Sequence, residues 1–274
     1  MASRKGKRMT TKIEWATDTW NPVTGCTKIS DGCRNCYAER MAKRLAGRCG
    51  YPADEPFRVT FHPDRLGQPL RWKKRRLVFV CSMGDLFHPA VKYEWIDKIF
   101  DVVVASPQHR FLFLTKRPFT MADYIEKFLT KVKAFDVDFW MQNIWLGVTT
   151  ENQGMAAARI PVMLSIPAAV HFVSLEPLLG PINLKKNILQ GLDWIICGGE
   201  SGPGARPIHP EWVRKIRDDC LQAKKPFFFK QWGDKPDPAA FDEPHGLINA
   251  RMEIPKRGHI LDGEVWQEYP ENIS

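Results

Sequence analysis

Continuously apolar runs and helical spacings alternate along most of the chain. Leu77-Val78-Phe79-Val80-Cys81 is apolar throughout, as expected of a strand buried on both faces. Residues 111–115, 144–148, 170–173, 194–197 and 227–229 repeat that pattern. Between them lie amphipathic stretches. Pro89 is expected to open a helix with Val91, Trp95, Ile96, Ile99 and Val103 on one face, and Thr120 to cap one carrying Tyr124, Ile125 and Phe128. Pro210 is expected to open a third, with Trp212, Val213, Ile216, Cys220 and Leu221 on one side. Buried strands alternating with such helices predict an α/β fold, a partial (β/α) barrel of about six parallel strands with outer helices. Upstream, residues 13–20 read as an extended segment and residues 34–48 as a helix with Tyr37, Met41 and Leu45 on one face. Residues 50–70, rich in proline and polar groups, are expected to wrap the surface. The domain reading is a basic disordered tail over 1–10, the barrel over 11–233 and a C-terminal extension over 234–274 packed on it, with residues 260–263 turning back onto the body.

In folds of this class chemistry gathers at the carboxyl ends of the strands. The apolar runs end in Ser82 and Asp85, Lys116 and Arg117, Thr149, Glu151 and Asn152, Ser174 and Glu176, Gly198, Gly199 and Glu200, and Lys230 and Gln231. Cys81 and Cys197 also end strands. A site-facing thiol there could return a hydrogen atom to a product radical; the competing reading is a small buried core residue. Cys220, on an apolar helix face, reads as core. Lys116-Arg117 is either a phosphate-binding pair or an exposed basic turn. His88 and His209 each precede a proline at a helix start and are expected to pack or cap rather than ligate.

One stretch stands apart from the periodic pattern. In Asn21-Pro22-Val23-Thr24-Gly25-Cys26-Thr27-Lys28-Ile29-Ser30-Asp31-Gly32-Cys33-Arg34-Asn35-Cys36-Tyr37, three of the seven cysteines fall within eleven residues. Two glycines and a proline make it a loop. Three thiolates on a loop before a helix suit a soft metal or an iron–sulfur cluster, and three ligands leave one metal position open. A zinc site with Cys49 as fourth ligand is the alternative, since the Cys33-x2-Cys36 pair serves either metal.

Composition narrows the partners. The chain has 274 residues, 44% of them hydrophobic, enough for a full core. It has no apolar run of membrane-spanning length and no apolar stretch after its basic start, so it reads as a cytoplasmic protein without a membrane segment. An odd cysteine count argues against a disulfide framework. The net charge of +9 points to a nucleic acid or nucleotide partner, or to a solvated basic surface. Basic runs span residues 4–8 and 71–76. Trp72 within the second could stack on a base.

The cysteine loop after the first extended segment of such a barrel resembles the radical SAM superfamily. Its approach, Asn21 to Cys26, and its exit, Cys36-Tyr37-Ala38, resemble the spore photoproduct lyase-like branch. The chain is also similar to a phage-associated three-cysteine-motif family of largely unassigned function. That likeness rests on Trp20-Asn21-Pro22, Ser82-Met83-Gly84-Asp85-Leu86-Phe87, Leu114-Thr115-Lys116-Arg117-Pro118, Ser174-Leu175-Glu176-Pro177-Leu178, Gly198-Gly199-Glu200-Ser201-Gly202 and Leu261-Asp262-Gly263. It implies that Cys26, Cys33 and Cys36 hold a 4Fe-4S cluster. The fourth iron would bind S-adenosylmethionine, and an electron donor protein would start its cleavage to a 5′-deoxyadenosyl radical. With the strand-end positions, the likeness implies cofactor contacts from Ser82, Asp85, Thr149, Glu151, Ser174, Glu176, Gly198, Gly199 and Glu200; Lys116, Arg117, Asn152 and Lys230, by their place at strand ends, are the expected substrate contacts. The chain departs from the usual Cys-x3-Cys-x2-Cys spacing, with six residues in the first gap. Asn35 replaces the aromatic residue usual before the third cysteine. The Gly-Gly-Glu motif ends a much later strand than usual, so the amino contact is assigned to the turn from Ser82 to Asp85. The alternative function is a zinc- or iron–sulfur-containing nucleic-acid-binding protein without radical chemistry.

Overall fold

Seven short strands lie side by side in chain order and all run parallel. The computed structural model describes residues 11, 13–132, 136–235 and 258–271, so the 1–10 tail and most of the polar stretch after Gly233 lie outside the described residues. In chain order come β1 (Asp18–Trp20), β2 (Val23–Thr24), α1 (Tyr37–Arg44), β3 (Thr60–Phe61), β4 (Leu77–Val80) and α2 (Tyr93–Val104). Next are β5 (Arg110–Thr115), α3 (Pro118–Lys131), α4 (Val137–Met141), β6 (Ile144–Thr149), α5 (Gln153–Leu164) and β7 (Val170–Leu175). The last are α6 (Lys186–Gly191), β8 (Trp194–Gly198), α7 (Pro210–Ala223), β9 (Phe227–Gln231), β10 (Ile260–Leu261) and β11 (Glu264–Val265). The sheet order β1-β4-β5-β6-β7-β8-β9 curls into a half-barrel with helices around it. The expected α/β partial barrel is therefore present, with β1 as a seventh strand beside the six apolar runs.

Strand side chains alternate between two apolar layers. Val78, Val80, Phe113, Val148, Val173, Ile195 and Phe229 pack outward with Ile96, Ile99, Ile160, Val213 and Ile216 of the helices. Leu77, Leu112, Trp145, Phe172, Trp194, Ile196 and Phe228 fill the interior, where Trp15 lies 4.7 Å from Phe79 and 6.4 Å from Trp194 between ring centres. Burial on both faces is why these strands read as unbroken apolar runs. Each large side chain so buried stabilises the fold by roughly 1.5–3 kcal/mol.

Three local expectations are corrected. The helix expected over 34–48 covers only Tyr37–Arg44; it buries Ala38 and Ala42 and leaves Tyr37 exposed. Cys36 is extended at ψ 122°, which holds back the start, and Gly47 turns the chain at φ +70° soon after the end. The helix expected from Pro89 begins at Tyr93, because the Asp85 carbonyl accepts from the His88 N–H and the His88 carbonyl from the Val91 N–H, keeping residues 85–91 in turns. Pro118, not Thr120, opens α3, where its fixed φ and missing N–H cost nothing. The C-terminal segment lies along the edge strand β9. The N–H of Phe229 donates to the Trp266 carbonyl, that of Glu268 to Phe227 and that of Trp232 to Gly258, and Leu261 is fully buried. Among the described residues no helix is long and apolar enough to cross a membrane.

Candidate active site

The strand ends form a rim on which the cysteine loop is seated. After β1, Asn21 Oδ1 accepts from the Ser82 hydroxyl at 3.2 Å and from the Met83 N–H at 3.0 Å, tying the first turn to the one after β4. The Gly25 N–H donates to the Met83 carbonyl at 2.9 Å. A side chain at Gly25 would meet the Arg58 carbonyl at 2.2 Å, and its φ is +89°, so the entry to the loop admits only glycine.

Three acid–arginine pairs then grip the loop, each anchored at a different strand end. Asp85 binds Arg117 at 2.8 Å, both side chains more than nine-tenths buried. Asp85 also accepts from Thr115 Oγ1 at 2.8 Å and from the Phe87 N–H at 3.0 Å. The Arg117 guanidinium donates to Cys26 Sγ at 3.3 Å and to the Thr27 carbonyl at 2.9 Å. Glu151, fully buried, binds Arg159 at 2.9 Å and accepts from the Gly32 N–H at 3.3 Å. Glu200 binds Arg206 at 2.6 Å and accepts from Asn35 Nδ2 at 2.9 Å, while Arg206 donates to the Asp31 carbonyl at 2.9 Å. His88 adds a fourth tie. Its Nδ1 accepts from the Ala90 N–H at 3.0 Å, which leaves Nε2 to donate to Thr27 Oγ1 at 2.8 Å.

Cys26, Cys33 and Cys36 are free and half-buried, whereas Cys81, Cys197 and Cys220 are buried. Burial pushes the Cys26 thiol up to about 11; the Asp85 carboxylate adds to this and Arg117 opposes it. Burial also acts upward on Cys33. The Lys116 ammonium and hydrogen bonds at Ile29 and Ser30 outweigh it and leave that thiol below its ordinary value. The Glu151 and Glu200 carboxyls are likewise raised by burial but end below the usual range. Ser30, Arg159 and Gly32 lower the first, and Arg206 and Asn35 the second.

Other residues singled out from the sequence take varied places. Ser174 Oγ donates to Glu176 Oε2 at 3.2 Å, and Lys230 binds Glu176 Oε1 at 3.0 Å across the top of the barrel interior. Thr149 is in register with Ser174. Asn152 caps α5, accepting from the Met155 N–H at 3.0 Å. The space beside Gly198 and Gly199 is filled by the chain itself. A Cβ would meet Glu176 Oε1 at 2.8 Å in the first case and the Trp232 carbonyl at 2.0 Å in the second. Cys81 follows β4 at a left-handed φ of +56° and is buried with Trp20 and Val23. Cys197 belongs to the outward layer shared with Cys220 of α7. Sequence reasoning missed Asn21, Arg159 and Arg206. Only Asn21 carried a local signal, through its place beside the loop.

The donor set fits an iron–sulfur group by its chemistry: three thiols on one loop, one of them lowered from its ordinary value toward the thiolate form that binds metal. Among the described residues no three His, Cys, Asp or Glu side chains converge on a single-ion position. The cysteines of an iron–sulfur cluster bind separate irons rather than one shared ion.

A family described as "Protein of unknown function (DUF5131)" matches residues 10–270. No curated protein matches the chain. Among solved structures, the chain is similar to a cysteine-to-serine mutant of spore photoproduct lyase, with a TM-score of 0.44 and 11% identity over 80% of this chain and 65% of that one. It is similar to spore photoproduct lyase complexed with dinucleoside spore photoproduct, with a TM-score of 0.39 and 11% identity over 73% and 59%. The chain thus spans 65% and 59% of the length of those two chains.

Proposed function

The chain belongs to the DUF5131 family, and we propose that it is a radical S-adenosylmethionine enzyme acting on a nucleic acid or nucleotide. Cys26, Cys33 and Cys36 would hold a 4Fe-4S cluster, with one iron left for S-adenosylmethionine. Together these would supply one-electron cleavage of the sulfonium and a carbon radical able to take a hydrogen atom from substrate. The observation that carries this reading is the grip on the loop. The loop that carries three half-buried thiols is held from three strand ends, by Arg117 at Cys26 and Thr27, by Glu151 at Gly32 and by the Glu200–Arg206 pair at Asn35 and Asp31. Burying ion pairs costs several kcal/mol of desolvation per ion, which is out of proportion for a loop that only links two elements.

The chain's own groups then divide the work. Arg117 donates toward Cys26 Sγ, and Lys116 lies close enough to Cys33 to favour its thiolate. Asp85 acts through Arg117, since its oxygens are already occupied by that side chain, Thr115 and Phe87. Inside the barrel Lys230 suits a carboxylate and Glu176 an ammonium group, with Ser174 and Thr149 beside them. Below them Trp145, Phe172 and Trp194 form a dry floor that keeps water from a reactive intermediate.

The test is anaerobic reconstitution with iron and sulfide, reduction, and assay for 5′-deoxyadenosine. Formation that requires all three loop cysteines is expected. A fully iron-loaded, reduced sample that yields none overturns the reading.

A further inference from the structure

The charge excess is not spread evenly. Residues 26–48 carry six cationic side chains and two acidic ones, so a short stretch supplies nearly half of the net +9. Lys28 and Lys43 are 52% and 65% exposed, and Arg34, Arg44 and Arg48 are exposed as well. Around the same loop stand three exposed apolar side chains: Ile29, Tyr37 and Phe119. Phe119, at 69%, has the highest exposure of any large apolar residue among the described ones. Contacts place these groups on one rim. Arg117 donates to the Thr27 carbonyl and so ties the start of α3, with Phe119, to the loop. Lys28 donates to the Arg34 carbonyl and pairs with Glu39 of α1, two residues beyond Tyr37.

We propose that this rim docks a single-stranded polynucleotide, with Phe119 and Tyr37 as stacking platforms for unpaired bases and Arg34, Lys28 and Lys43 along the phosphates. Separated aromatic faces among cations match a strand whose bases offer π-faces at intervals. A duplex keeps its base faces stacked inside and leaves the two rings nothing to cover. This deepens the reading above by saying how the substrate reaches the mouth, but binding does not require the cluster.

The test is fluorescence anisotropy with labelled oligomers of about 12 nucleotides, as single-stranded DNA, single-stranded RNA and blunt duplex. The full chain is used both before and after reconstitution. Phe119→Ala is expected to weaken single-strand binding roughly tenfold with the salt slope unchanged, and Tyr37→Ala to act in the same direction. Arg34→Ala is expected to weaken binding and to lower the salt slope by somewhat under one unit. Lys73→Ala/Lys74→Ala, in the exposed basic run before β4, is expected to change nothing. Deoxy and ribo arms decide which strand is preferred. The inference fails if no oligomer binds, if duplex binds best, or if affinity follows Lys73 and Lys74 and ignores both aromatic variants. Rim binding without 5′-deoxyadenosine formation would sink the radical reading and leave the docking surface standing.

Discussion

Six of the seven cysteines form two groups of three that the fold treats in opposite ways. Cys26, Cys33 and Cys36 share a half-buried loop at the strand ends, each flanked by residues tied to charged partners. Cys81, Cys197 and Cys220 lie in the outward apolar layer. Burial pushes Cys81 up to about 12 and raises the other two as well, whereas Cys33 ends below the ordinary thiol value. The same side chain thus meets a polar, partly open rim in one group and a closed apolar layer in the other. Strand position alone does not tell them apart, because Cys197 ends a strand yet faces α7.

The sharpest way to break this contrast is metal loading. Cys33→Ala or Cys36→Ala is expected to abolish iron incorporation, while Cys197→Ala and Cys220→Ala keep the wild-type iron and sulfide content. Equal loss in both groups would contradict the division. Next in size is thiol reactivity. In the metal-free native chain, alkylation followed by peptide mass spectrometry should label Cys33 faster than Cys26, since thiolate is the nucleophile. The buried trio should react only after unfolding. Comparable labelling of Cys197 in the folded chain would show that its layer is open.

The grip on the loop gives a third test. Glu151→Ala leaves Arg159 buried without its counter-charge and is expected to cost roughly 3–5 kcal/mol in denaturant unfolding. A change under 1 kcal/mol would show that the pair does not hold the loop. The smallest effect concerns Glu200. Its folded carboxyl titrates below the unfolded value of 4.5, so its contribution is fully present above that pH and is lost as pH falls through the folded value. Glu200→Gln should therefore be less stable near neutrality and show a flatter acid limb. An acid limb parallel to that of wild type would remove Glu200 from the account.

The half-barrel was legible because both faces of its strands are buried, which writes each strand as an unbroken apolar run. Strand β1 was not legible in that way. It has three residues, and its Asp18 is turned to an ion pair with Arg76. The loop and the acids at the strand ends were visible, but their partners were not. Arg206 meets the Asp31 carbonyl across 175 positions of sequence, and no local pattern encodes such a pairing. Arg117 looked like a phosphate fork from its position, yet both its terminal nitrogens donate within the protein, to Asp85, Cys26 and Thr27. The face shared by Tyr37, Met41 and Leu45 is not the one α1 buries, because the helix buries only small residues, Ala38 and Ala42, which carry little hydrophobic signal.

In the proposed enzyme three thiols and no fourth side chain hold the group on the rim. Electron paramagnetic resonance of the reconstituted, reduced chain, recorded with and without S-adenosylmethionine, tests it most directly. The expected result is a 4Fe-4S signal that changes when S-adenosylmethionine is added and disappears in Cys26→Ala. A cluster signal indifferent to S-adenosylmethionine, or a colourless protein holding only zinc, would contradict it.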